Sequence, residues 1–229
     1  MENNPSSTPI TSTVSNNDYV SIETFFGKSK TALLNATDVE IEPLLTKRGY
    51  TTAIIAAKLA ELQTLENLHQ QQKKEYGEQY QATQNYNNAA ALLHSLYIEH
   101  IEIARIVFKN DIAAQTALSL NGKRKRSASG YCNQALLFYK GSIDNAAYTA
   151  ALAAKGITIA ELTAGKNGYT NLIELEAKQA KETGEAQSAT AIRDKAIDDF
   201  AEWFSEFKVM GKIALSSKPQ LREKLGWKE

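Results

Sequence analysis

Glu66-Asn67-Leu68-His69 sets a carboxylate and an imidazole three residues apart, which on a helix turns both toward one face. With Glu99 and Glu206 supplied from other helices, this pair would be part of the ligand set with which a four-helix bundle holds two iron ions. Such a centre needs a second Glu-x-x-His, and the chain carries its own control, because it repeats internally. Lys74-Glu75-Tyr76-Gly77-Glu78 returns as Lys181-Glu182-Thr183-Gly184-Glu185, an offset of 107 residues from Gly77 to Gly184. At that offset Glu66 faces Ile173 and His69 faces Glu176, so the second pair is missing. The spacing favours a solvated helix surface, with a metal- or ligand-binding helical bundle as the alternative, and no metal ligand or cofactor is assigned.

Other chemistry-bearing residues are sparse. His94 and His100 map onto Ala201 and Phe207, which favours packing over ligation. Cys132 is the only cysteine, which excludes an internal disulfide framework and a thiolate cage, and no histidine stands near it in sequence to activate it. Gly165-Lys166-Asn167-Gly168 lacks the spacing of a phosphate-binding loop. Without a catalytic constellation, the expectation is a non-enzymatic protein.

Two features point outward. Lys123, Arg124, Lys125 and Arg126 form the densest basic run, but Lys+Arg and Asp+Glu both number 26, so no overall field draws the chain to nucleic acid. Tyr76, Tyr80 and Tyr86 stand in a polar stretch, and Tyr76 and Tyr80 share a helical face. Tyrosine is enriched where proteins meet. These seven residues are the candidate interaction surface, and the expected partner is another protein or a second copy of the chain.

The elements that position these residues are helical. Ile55, Leu59, Leu62, Leu65 and Leu68 recur every three or four residues, as on one face of an amphipathic helix. A second apolar stretch from Ala89 to Phe108 is apolar around more of its circumference and predicts a more buried helix. Leu162, Tyr169, Leu172 and Leu175, then Ile197, Phe200, Trp203, Phe204 and Phe207, repeat the plan. Thr158-Ile159-Ala160-Glu161 has the form of a capping box at a helix start. Shorter helices are predicted around Tyr19 to Leu34, Tyr131 to Tyr139 and the closing Ser217 to Trp227.

Each repeat is apolar at both ends and polar between, with Gly77 and Gly184 near the centres. A turn at each glycine would lay Leu65 and Leu68 against Leu92 and Leu93 and fold the repeat into a hairpin; without it, one helix of roughly sixty residues would span ~90 Å. The hairpin is the expectation. The fold class is all-α: a tandem duplication of a long helical hairpin forming a four-helix-bundle-like domain with short flanking helices. The organisation reads as a disordered arm over 1–17, repeat one over 18–120, a basic loop over 121–130 and repeat two over 131–229. Residues 1–17 lack the apolar core of a secretory signal, and no apolar run approaches the ~18 to 20 residues of a membrane span. A cytoplasmic protein is the expectation.

Overall fold

The computed structural model describes residues 21–227 except 124 and 126. The N-terminal arm, Arg124 and Arg126 lie outside the described residues. All eight elements described are helices: α1 (Ile22–Asn35), α2 (Glu42–Thr46), α3 (Thr52–Val107), α4 (Ile112–Ala117), α5 (Ala128–Asp144), α6 (Ala146–Ala153), α7 (Ile159–Ala214) and α8 (Gln220–Lys224). No described helix is long and apolar enough to cross a membrane.

The repeat governs the backbone throughout. Helices α3 and α7 have 56 residues each and begin and end at equivalent positions. The glycines that turn the chain into them, Gly49 and Gly156, are also equivalent, with φ of 90° and 92°. A side chain is strained in that left-handed conformation, so glycine is required at both. The predicted capping box closes the start of α7: Thr158 N–H donates to Glu161 Oε2 at 2.7 Å, and Glu161 N–H donates to Thr158 Oγ1 at 3.2 Å.

The all-α class stands, but the chain does not reverse at Gly77 or Gly184. Both lie inside continuous helices. The polar middles contain no proline, a mid-helix glycine costs only ~1 kcal/mol, and a break would leave helix-end amides and carbonyls to be satisfied. The two long helices pack against each other instead, and the polar stretch contributes directly, since Gln179 Nε2 donates to Thr83 Oγ1 at 3.2 Å.

Two compact units result. Unit 1 combines Met1–Glu75 with Ala186–Glu229; unit 2 is Tyr76–Glu185. Each therefore draws on both repeats. In unit 1, Leu62 and Leu65 of α3 share a core with Ile197, Phe200, Phe204 and Phe207 of α7, closed by Leu33 of α1, Leu45 of α2, Leu221 of α8 and Trp227. In unit 2, Tyr97 and Ile101 of α3 meet Leu162, Tyr169 and Leu172 of α7, closed by Phe138 and Tyr139 of α5, Leu152 of α6 and Leu118. Leu65 and Leu93 thus serve different cores, and the expected Leu65–Leu93 hairpin contact is replaced by pairing between repeats. The second half of α3 is also less buried than its composition suggests: Leu92 and Ile106 remain exposed.

Candidate functional site

The expected interaction surface divides when placed on the fold. Tyr76 and Tyr80, one turn apart on α3, are 40% and 66% exposed. Among the described residues neither makes a hydrogen bond or ring contact. Tyr86 instead packs against the unit 2 core, where burial and the charge of Glu176 raise its phenol above the ordinary value. Lys123 and Lys125 are exposed in the connection between α4 and α5, and the backbone N–H of Lys125 donates to Gln134 Oε1 at 3.1 Å.

The residues considered for a metal are engaged locally. Glu66 pairs with Lys30 at 3.3 Å. His69 is buried, not solvated as its spacing predicts, because α1 lies over that face of α3: its Nε2 meets Glu23 Oε1 at 3.1 Å and its ring stands edge-on to Phe26. A backbone N–H, then Lys73 and His69, hold Glu23 down at about 2. Glu206 accepts from the Tyr50 hydroxyl at 3.4 Å, and Glu99 belongs to unit 2.

Unit 2 also contains a tyrosine and histidine network that helical periodicity alone does not reveal. Tyr169 donates to the carbonyl of Leu93 at 3.0 Å and lies 3.5 Å from the Tyr131 hydroxyl, which meets His94 Nδ1 at 2.7 Å. The Tyr139 hydroxyl meets His100 Nδ1 at 3.3 Å. Burial raises the Tyr139 and Tyr169 phenols far above their usual range, so both stay neutral. The Tyr139 ring lies on the backbone of Gly165, and Leu93 on that of Gly168, where an added Cβ would collide with each. The Gly-Lys-Asn-Gly segment is therefore a packing notch in α7. The equivalents of Tyr97, Tyr139, Tyr169 and His100 in unit 1 are Phe204, Ala32, Leu62 and Phe207, all buried and apolar. Comparing the repeats position by position is the signal that could have exposed the network.

Cys132 is buried, and burial raises its thiol above the ordinary value, the opposite of an activated thiolate. The exposed part of the candidate site is the Tyr76–Tyr80 face together with the grooves beside α1 and α5. No known protein family, curated protein or solved structure matches the chain.

Proposed function

We propose that this chain is a non-enzymatic structural or interaction protein that self-associates or docks a protein partner through helical surfaces. The observation that carries this reading is the exposed, unpartnered Tyr76–Tyr80 pair on α3. Two large amphipathic rings held on a rigid helix offer contact area at little conformational cost, which suits a protein-facing role better than a purely solvated one. Tyr86, turned into the core six residues later, holds that part of α3 in place and leaves the other two outward.

Light scattering across a concentration series tests the self-association branch. The expected result is a mass above 25.2 kDa that falls toward that value in the Tyr76→Ser/Tyr80→Ser variant, with far-UV circular dichroism unchanged. A wild-type mass above 25.2 kDa that is the same in the variant would remove this face as the contact.

A further inference from the structure

Both units carry a groove between their flanking helix and the first half of a long helix. In unit 1 it has a volume of about 390 Å³ and runs between α1 and α3, lined by Lys30, Leu34, Leu59 and Glu66 among others. In unit 2 it has about 380 Å³ between α5 and α7, lined by Asn133, Leu136, Leu137, Lys140 and Lys166. The repeat offset superposes Lys30 on Leu137 and Leu59 on Lys166, so lysine and leucine have exchanged walls. Two further changes alter the charge. Glu66, which neutralises Lys30 at 3.3 Å, is replaced by Ile173, and the buried Leu33 is replaced by the exposed Lys140. The unit 2 groove thus keeps an apolar floor and gains two lysines, neither of which has an ion-pair partner among the described residues.

The geometry points to this groove as the docking site for an acidic amphipathic helix of a partner protein. Asn133, Leu136, Leu137 and Lys140 follow the i, i+3, i+4, i+7 rule on α5, and Lys166 stands on the opposite wall. A helix laid in the trough places its apolar anchors over Leu136 and Leu137 and its flanking carboxylates beside Lys140 and Lys166, the helix-in-groove mode of recognition. Charge complementarity gives the choice of partner, since a basic helix would bring like charges together. This inference rests on the interaction reading and gives it a partner class.

The test uses a designed, fluorescein-labelled helical peptide with leucines at i, i+3, i+4 and i+7 and glutamates on the flanks, and a twin with every glutamate replaced by lysine. Fluorescence anisotropy on the full chain should show the acidic peptide binding at least ~10-fold more tightly than the basic one. Lys140→Glu/Lys166→Glu should reverse that order, and Leu137→Ser should weaken the acidic peptide with charge unchanged. Both lysines are exposed, so the fold should be retained, and Lys140→Gln/Lys166→Gln supplies a milder loss if it is not. Equal binding of the twins, an order that survives charge reversal, or no binding of either would overturn the proposal. So would saturable binding of decanoate that excludes the peptide, which would assign the trough to a lipid. The Tyr76→Ser/Tyr80→Ser variant should bind the peptide like the wild type, so failure of the tyrosine face and failure of the groove are read separately.

Discussion

His100 marks a place where the two repeats diverge from an apolar contact to a titratable one. Its counterpart Phe207 is fully buried against Trp203 and Trp227, whereas His100 is buried edge-on to Tyr139 and hydrogen-bonded to it. Burial lowers its pKa below the ordinary 6.5, while the charges of Glu161 and Glu99 pull the other way. The folded state therefore holds the neutral imidazole, and its contribution is complete above the unfolded value and is lost as pH falls below it. The melting temperature should drop between about pH 7.5 and about pH 5.5. In His100→Phe/Tyr139→Phe that drop should shrink; an unchanged profile would place the sensitivity elsewhere. The sequence reading of His100 as a packed residue came from its pairing with Phe207, a comparison across repeats. His69 gave no such clue: its burial depends on α1 crossing α3, which the periodicity of α3 alone does not encode.

At the level of elements, four of the five glycines in the long helices divide into two kinds. A Cβ at Gly77 or Gly184 would meet nothing within 4 Å. Neither has positive φ, so alanine should raise stability by about 0.5–1 kcal/mol at each position. A Cβ at Gly165 would enter the Tyr139 ring and one at Gly168 the Leu93 side chain, so alanine there should cost about 1–3 kcal/mol. Urea midpoints of the four single variants check both signs, and a destabilising Gly77→Ala would contradict an uninterrupted α3. Helix existence and the capping box were legible because period and caps are local. The choice between turn and continuation was not, because it depends on whether Leu62 and Leu65 find their partner within the same repeat or in Phe200 and Phe204 of the other. The grooves were equally hidden, since each lies between two helices that are not consecutive in the chain.

For the whole molecule, the sharing of both repeats by each unit means that covalent continuity between α4 and α5 is dispensable for cohesion. Lys123 and Lys125 are exposed in that connection and offer a site for limited trypsin cleavage. Nicked protein should keep a mass near 25.2 kDa in native buffer and separate into two pieces only in denaturant. Separation in native buffer would mean that the cores do not depend on both repeats.

The same sharing sets an order on synthesis. Unit 2, Tyr76–Glu185, is one uninterrupted stretch and is complete as soon as Glu185 has left the ribosome. Unit 1 waits longer, because Leu62 and Leu65 have no Phe200 or Phe204 to cover them until the last part of the chain appears. During that interval the apolar face of early α3 is the exposed surface of the nascent protein, the condition under which chains aggregate or recruit chaperones. Once unit 2 has folded, the intervening chain is no longer a free loop, and the entropy of bringing the two distant parts of unit 1 together falls accordingly. The unit with the tyrosine and histidine network thus matures first, and the core of the other unit is completed later.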